Sequence, residues 1–207
     1  MSAQTCMKAF AQAPADQNFA SYIDQISPDC ACEPYQVSPH CGESVAPTEI
    51  LARLVMDPTH IHDDDQGTRL KSSFLNVAAT AGASCLRYGR ATELEYQLTA
   101  QRILAENPTN PDGTPRKVCG VVKIPVEKIR AEQIVIHQST VAMIRAFCVY
   151  ATGTEDRPNH ADVVMNGVRR LTRSKQNRAA ASLTKHFERQ IISVQQFIKT
   201  ADLTAWA

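Results

Sequence analysis

The chain has 207 residues, of which 43% are hydrophobic and 21% are charged, and its formal net charge is +1. These proportions are typical of a folded globular domain with one main core and exclude a chain that is disordered along its length. The sequence has no signal-peptide pattern and no apolar run near the length of a membrane span, so we expect a cytoplasmic protein without membrane contact.

Residues 1–46 predict an irregular N-terminal extension. The segment is rich in Ala, Gln, Ser, Pro and Cys, and helical spacing of apolar residues predicts one short amphipathic helix, around residues 19–23. Among the chain's seven cysteines, Cys6, Cys85, Cys119 and Cys148 lie singly in apolar or mixed surroundings. Since such cysteines behave as small hydrophobes in a reducing compartment, the pattern predicts free thiols and no disulfide framework.

A candidate zinc site lies in the same extension. Its members are the closely spaced residues Cys30, Cys32, His40 and Cys41. Thiolate and imidazole are the ligands that zinc prefers, so zinc is the one cofactor that the sequence suggests. The spacing, C-x-C followed by an adjacent His-Cys pair, departs from the C-x-x-C pair of zinc knuckles. Free thiols in an irregular segment are therefore the alternative.

Residues 47–165 predict an α+β body built on a single mixed sheet. The expected elements are a first strand, a helix and three later strands, at residues 50–55, 91–106, 118–126, 134–137 and 141–150. Regular βαβ alternation is missing, which favours an α+β arrangement over a doubly wound parallel sheet. Pro125 indicates that its strand ends there or lies at a sheet edge.

The stretch THIHDDDQG, residues 59–67, has the densest polar chemistry in the body. His60 and His62 alternate on a predicted strand, so both imidazoles lie on one face and are close enough to share a metal ion. Up to Asp64 the stretch resembles the H-x-H-x-D-H motif of metallo-β-lactamases, but Asp65 stands where that motif has His. The alternatives are a different metal site with a distant third ligand, or a strand that ends in an acidic turn.

The candidate catalytic set comprises three histidines and one arginine, namely His60, His62, Arg87 and His160. His160 begins an apolar strand, and Asp162 follows two residues later on the same face. An arginine beside histidines suits chemistry on a phosphate group, because the guanidinium holds the anion while an imidazole moves the proton. Alternatively, each histidine caps a turn and Arg87 pairs with a carboxylate such as Glu93 or Glu95.

Residues 166–207 predict a basic C-terminal segment. They contain eight basic and two acidic residues, a net charge of +6, so the first 165 residues carry −5 within the chain's total of +1. A single apolar stripe predicts a long amphipathic helix over residues 178–200, formed by Leu183, Phe187, Ile191, Val194 and Ile198. This stripe packs on the body or forms an oligomer seam with a partner helix. The positive charge suits nucleic acid, an acidic protein partner or docking on the body. The candidate partner-binding residues are Arg169, Arg170, Arg173, Lys175, Arg178, Lys185 and Arg189.

Several short elements together resemble an uncharacterised bacterial family of small α/β proteins. They are the strand ending in His before an acidic-Gly turn, the S-C-L-R element at residues 84–87 and the P-N-H-A element at residues 158–161. The resemblance covers roughly residues 49–165. It implies a bacterial, cytosolic α+β domain that belongs to a multi-gene conflict or stress-response system, and it implies no mechanism.

The sequence lacks the motifs of several common enzyme classes. It contains no Walker loop, no G-x-G-x-x-G, no G-x-S-x-G elbow and no H-E-x-x-H. Because no complete catalytic signature occurs, the sequence favours a non-enzymatic binding or adaptor subunit of such a bacterial system. We expect it to dock, through its basic segment among other surfaces, to a protein partner or to nucleic acid. The alternative is a small hydrolase or transferase that acts on a phosphate-containing substrate through the His/Arg set.

Overall fold

The computed structural model describes residues 1–16, 18–106, 108–110, 113–137 and 142–200. Its helices are α1 (Ala3–Ala11), α2 (Phe19–Ile26), α3 (Glu93–Glu106), α4 (Val126–Ala131), α5 (Arg173–Lys185) and α6 (Val194–Thr200). Its strands are β1 (Ile50–Asp57), β2 (Ile61–Asp64), β3 (Gly67–Leu70), β4 (Ala83–Arg87), β5 (Lys117–Pro125), β6 (Gln133–His137), β7 (Ala142–Arg145), β8 (Phe147–Tyr150), β9 (His160–Met165) and β10 (Ile192–Ser193). None of these helices combines the length and apolar character that a bilayer crossing requires. Residue 141 of a predicted strand and residues 201–207 of the predicted basic segment lie outside the described residues.

A six-stranded sheet forms the centre of the described fold, in the order β10-β5-β1-β4-β9-β8. Each pair of neighbours in this sheet runs antiparallel. Two-stranded ribbons, β2-β3 and β6-β7, accompany it. The α+β class predicted from the sequence is confirmed. Pro125 is the last residue of β5, as its lack of a backbone N–H predicts.

The central strand β1 is buried on both faces because its side chains alternate between two cores. Leu51 and Val55 contribute to the larger core, which includes residues of α2 and α5. Ala52 and Leu54 contribute to a smaller core that includes residues of α3 and α6. The same alternation puts Arg53 in the middle of a buried strand, where it is only 6% exposed. A buried cation is costly unless it has a partner or a ligand, so Arg53 requires an explanation.

The single long helix predicted over residues 178–200 is wrong, since two helices, α5 and α6, are separated by the short strand β10. Ile192 and Ser193 of β10 pair with Val121 and Gly120 of β5. A side-chain carbon at Gly120 would lie 2.6 Å from the Ile192 carbonyl oxygen, so only glycine allows this approach. Pairing with the free edge of β5 thus overrides the helical spacing of the sequence.

The apolar stripe of the predicted helix packs on the protein itself. Leu183 and Phe187 are buried in the larger core, while Val194 and Ile198 lie on the separate helix α6. The stripe is therefore divided among α5, the chain between the helices and α6, and does not form the continuous seam that the oligomer alternative requires.

One disulfide joins the N-terminal extension to the body, and a second lies within the extension. Cys6–Cys32 links α1 to the turn after α2, and Cys30–Cys148 links that turn to β8. The predicted short helix is present as α2, but the prediction of free thiols is wrong for these four cysteines. The free thiols are Cys41, Cys85 and Cys119. Disulfides persist in oxidising compartments, so the cysteines no longer support a cytoplasmic location.

Candidate active site

A cavity of about 730 Å³ lies beside the region where β1 and β4 stop pairing. The two strands pair only at two positions, Leu51↔Arg87 and Ala52↔Leu86, and from Arg53 onward β1 pairs with β5 alone. The carbonyl oxygen of Ser84 accepts a hydrogen bond from Arg53 Nη1 at 2.8 Å, so a side chain takes the place of a strand partner. The volume of the cavity suits a small organic ligand.

A continuous hydrogen-bond chain of four side chains lines this cavity. Ser84 Oγ lies 2.6 Å from His160 Nε2, and His160 Nδ1 lies 3.0 Å from Thr152 Oγ1. The Thr152 hydroxyl donates to Asp162 Oδ2 at 2.7 Å. The register of the sheet explains the arrangement, because Ser84 of β4 is opposite Asp162 of β9 and Leu86 is opposite His160. Alternate residues of paired strands share one face, which puts these groups together.

The position of each proton in this chain follows from the available donors. The Thr152 hydroxyl has one proton and gives it to Asp162, so its oxygen accepts the bond from Nδ1–H of His160. A neutral imidazole protonated on Nδ1 has a bare Nε2, which accepts the hydroxyl proton of Ser84. The chain therefore runs in one direction, from the Ser84 hydroxyl to the Asp162 carboxylate.

His160 is neutral near pH 7. Burial lowers its pKa below the ordinary value of 6.5, and the nearby Arg157 acts in the same direction, while Asp162 opposes both. The Nδ1–Oδ2 distance between His160 and Asp162 is 3.9 Å, so Thr152 bridges them. A serine hydroxyl on a neutral imidazole, oriented by a carboxylate at its far side, has the division of roles found in a Ser-His-Asp triad.

His60 also lines the cavity, as a neutral group. Its Nδ1 accepts the backbone N–H of Met56 at 3.1 Å, so its proton is on Nε2. Burial lowers the pKa of His60 to about 3, with Arg53 and Arg116 contributing in the same direction. The ring packs edge-on against Phe74 at 5.0 Å between centroids. His60 is therefore a fixed hydrogen-bond donor and not a proton carrier near neutral pH.

The structure divides the predicted catalytic set. His60 and His160 line the same cavity, whereas Arg87 is 1% exposed in the body of the fold. Nε and Nη2 of Arg87 donate to the two carboxylate oxygens of Glu49, each at 2.7 Å. Nη1 and Nη2 of Arg87 donate further to the carbonyl oxygens of Glu43 and Ser44. Arg87 thus fastens the segment before β1 to β4, with Glu49 in the place of the predicted Glu93 or Glu95.

His62 belongs to a different part of the surface. It is exposed on the ribbon β2-β3 and lines a separate pocket with Lys71 and Lys185. The stretch THIHDDDQG forms this hairpin, and Gly67 has a φ of +97°, which favours glycine. Asp64 accepts the backbone N–H of Gln66, so the acidic residues contribute to a polar turn. Across the described ranges, no group of three or more His, Cys, Asp and Glu side chains is placed to hold a metal ion.

Two members of the predicted zinc set are disulfide-bonded in the structure. Cys30 and Cys32 belong to separate disulfides, so neither has the thiolate that binds zinc. His40 is exposed. Cys41 is buried, accepts the backbone N–H of Gly153 at 2.9 Å and donates to the carbonyl oxygen of Pro158 at 3.3 Å. The four residues therefore have separate structural environments.

The basic residues of the C-terminal segment are also divided. Lys175 Nζ donates to the carbonyl oxygens of Val135 and Ile136 of β6. Arg170 pairs with Asp29 at 3.3 Å, and Arg189 donates to Gln66. Some of the charge thus docks on the body, as one alternative predicted. The exposed remainder comprises Arg169, Arg173, Arg178 and Lys185.

No protein-family model, curated protein or solved structure matches this chain. The resemblance to a bacterial family therefore stays a prediction. Function has to be inferred from the cavity and the side chains that line it.

Proposed function

We propose that the protein is a small hydrolase or transferase that acts on a phosphate-containing substrate and uses Ser84 as its nucleophile. The observation that carries the proposal is the one-directional proton chain from Ser84 through His160 and Thr152 to Asp162. It lines a cavity that also contains several arginines. His160 is the member of the predicted catalytic set that remains in this proposal. Ser84, Thr152 and Asp162, which the fold brings next to it, take the other roles.

The reaction begins when Ser84 Oγ attacks the phosphorus of a bound phosphate ester and passes its proton to His160 Nε2. The Oγ–P bond forms while the bond between phosphorus and the alcohol oxygen breaks, and His160 gives the proton to that oxygen. His160 then takes a proton from water or from an acceptor alcohol, whose oxygen attacks phosphorus. The Oγ–P bond breaks, and His160 returns this proton to Ser84 Oγ, which restores the serine hydroxyl and the neutral imidazole. Thr152 and Asp162 are positioning residues, because they hold Nδ1–H and stabilise the imidazolium through a hydrogen bond.

The test is turnover of p-nitrophenyl phosphate and bis(p-nitrophenyl) phosphate, with p-nitrophenyl butyrate as the acyl alternative. We expect Ser84→Ala to abolish phosphate-ester turnover and His160→Gln to reduce it by roughly 10²–10⁴-fold, the usual contribution of a general base. Ser21→Ala, which removes an exposed hydroxyl of α2, is the matched control. Full turnover by the Ser84→Ala protein would refute the proposal, and turnover of the butyrate ester alone would reassign the enzyme to acyl transfer.

The pH profile gives a second test of the same site. The pKa of His160 lies below 6.5 because of its burial, and the group acts as a base only when neutral. The acid limb of the kcat/KM profile is therefore expected below pH 6.5. An acid limb above that value contradicts the assignment of His160 as the base.

A second candidate function, docking to nucleic acid or to an acidic protein as an adaptor subunit, is favoured by the exposed basic side chains of α5. Arg178 and Lys185 are seven residues apart and thus lie on one face of the helix, and Arg173 is exposed at its start. If this face binds phosphate backbones, replacing the three residues by Gln removes about three phosphate contacts. The slope of the logarithm of DNA affinity against the logarithm of salt concentration then becomes correspondingly less steep. An unchanged salt slope rejects nucleic-acid docking through these three residues.

A further inference from the structure

Arg53 is an incompletely hydrogen-bonded cation that lines the cavity. Its Nη1 donates to the Ser84 carbonyl, but its buried Nε has no hydrogen-bond partner among the described residues. None of the ion pairs in the described part of the chain includes Arg53. The guanidinium lies over the ring of Phe74, 5.1 Å from its centroid, which fixes its plane. A guanidinium that lines a cavity and has no carboxylate within ion-pair distance among the described residues is prepared for an anion.

The other charges of the cavity strengthen this interpretation. The described lining contains four arginines, Arg53, Arg102, Arg116 and Arg157, against the two acidic residues Glu106 and Asp162. Arg102 pairs with Glu106 at 3.1 Å, and Asp162 accepts the Thr152 hydroxyl. Arg157 is 4% exposed, and its nearest acidic group, on the exposed Asp156, is 3.8 Å away. With both histidines neutral, the described lining has a net charge of +2, which complements the roughly −2 charge of a phosphate monoester.

The rest of the lining is apolar. Phe10 and Phe19 meet edge to face at 6.3 Å between ring centroids and contribute to one wall of the cavity. Leu54, Val77 and Ile103 add further apolar surface. Pockets that bind organic ligands combine such a lining with a few polar groups that fix orientation. A ligand that uses the whole cavity therefore needs both an anionic and an apolar part.

We propose that the cavity binds the phosphate monoester of an apolar alcohol, with the phosphate on Arg53 and the alcohol against Phe10 and Phe19. This inference rests on the proposed function, since it names the class of substrate whose phosphorus Ser84 attacks. Nη1 of Arg53 donates to the carbonyl oxygen of Ser84, so the guanidinium lies against the backbone of the proposed nucleophile.

The experiment measures binding separately from chemistry. Calorimetric titration of the Ser84→Ala protein uses hexyl phosphate, inorganic phosphate, hexanoate and 1-hexanol as probes. We expect hexyl phosphate to bind most tightly, roughly 100-fold more tightly than inorganic phosphate because the hexyl chain is buried. Equal affinity for hexanoate would overturn the phosphate assignment, and equal affinity for inorganic phosphate would overturn the apolar part.

Arginine variants in the same Ser84→Ala background test the anion site. Arg53→Met is expected to weaken hexyl phosphate binding roughly 10- to 100-fold, and Arg53→Lys, which keeps the charge in the same strand, roughly tenfold. Arg69→Lys, on the ribbon outside the cavity, is the matched control. Unchanged affinity in a folded Arg53→Lys protein rejects the inference. Hexyl phosphate binding without any phosphate-ester turnover by the wild type would instead retain the ligand site and reject only the reaction.

Discussion

Replacing Arg87 by Met tests whether this residue has a structural or a catalytic role. The side chain of Arg87 is 2% exposed and that of Glu49 is 11% exposed, so removal of the arginine leaves a buried carboxylate without its principal partner. Breaking a buried pair in this way costs roughly 3–5 kcal/mol of unfolding free energy. For a chain of this length the cost corresponds to a fall in Tm of roughly 6–20 °C. Chemical denaturation followed by circular dichroism measures the free energy directly.

The matched control for Arg87→Met is Arg90→Met. Arg90 contacts the same carboxylates of Glu43 and Glu49, but its side chain is 44% exposed, so we expect a loss of less than about 1 kcal/mol. A purely structural role of Arg87 is ruled out if Arg87→Met leaves stability within about 1 kcal/mol of the wild type and abolishes turnover. In that case Arg87 belongs to the active site, as the sequence predicted.

Three further predictions follow from the buried and cross-linked groups. Burial opposes ionisation of Glu49, but hydrogen bonds from Arg87 and from the Ala46 backbone N–H lower the pKa of its carboxyl in the folded protein. The Arg87–Glu49 pair therefore stabilises the fold above the unfolded pKa of Glu49, and this contribution is lost as the pH falls through the lower, folded pKa. Urea titrations from pH 6 to pH 3 should show this loss in the wild type and less of it in Arg87→Met. Burial lowers the pKa of His60 to about 3 in the folded protein, so unfolding takes up a proton between pH 6.5 and pH 3. The free energy of unfolding therefore decreases as the pH falls from 6.5 to 3. His60→Gln should reduce this decrease, and a pH dependence identical to that of the wild type contradicts the assignment of a neutral ring. Cys30 and Cys148 are 118 residues apart in sequence, so the double variant Cys30→Ala/Cys148→Ala should lose about 4–5 kcal/mol of unfolding free energy. Thiol titration of the denatured, unreduced wild type should detect the three free cysteines. Seven reacting thiols would show that neither disulfide is present.

The sequence predicted those helices and strands that follow from the spacing of apolar residues within one short segment. The apolar spacing of α2 and α3 and the β-branched run of β5 each formed the expected element. The prediction of one long C-terminal helix was wrong because β10 pairs with β5 at Gly120. This contact joins residues far apart in sequence, so the spacing of apolar residues within the segment does not reveal it. The prediction of free thiols was wrong for a similar reason. The bonded cysteines are 26 and 118 residues apart, and the spacing of cysteines in a sequence does not determine which of them pair.

The candidate site was predicted in part. His160 and Asp162 were recognised as neighbours on one strand face, because the two-residue period of a strand is a local property. Ser84, Thr152 and Arg53 were missed, since their contacts depend on the register between β4 and β9 and on the place where β1 stops pairing with β4. Ser84 also lacks a G-x-S-x-G context, so only the pairing of strands could identify it as the partner of His160.

Covalent labelling with an alkyl fluorophosphonate shows whether His160 activates Ser84, the step on which the proposed reaction depends. Ser84 Oγ attacks the phosphorus of the probe, fluoride leaves, and the hydroxyl proton passes to His160 Nε2. Peptide mass spectrometry of the labelled protein should locate one adduct, on Ser84, and the labelling rate should fall roughly 10²–10⁴-fold in His160→Gln. An adduct on another residue, no adduct at all, or an unchanged rate in the folded His160→Gln protein would contradict this activation of Ser84.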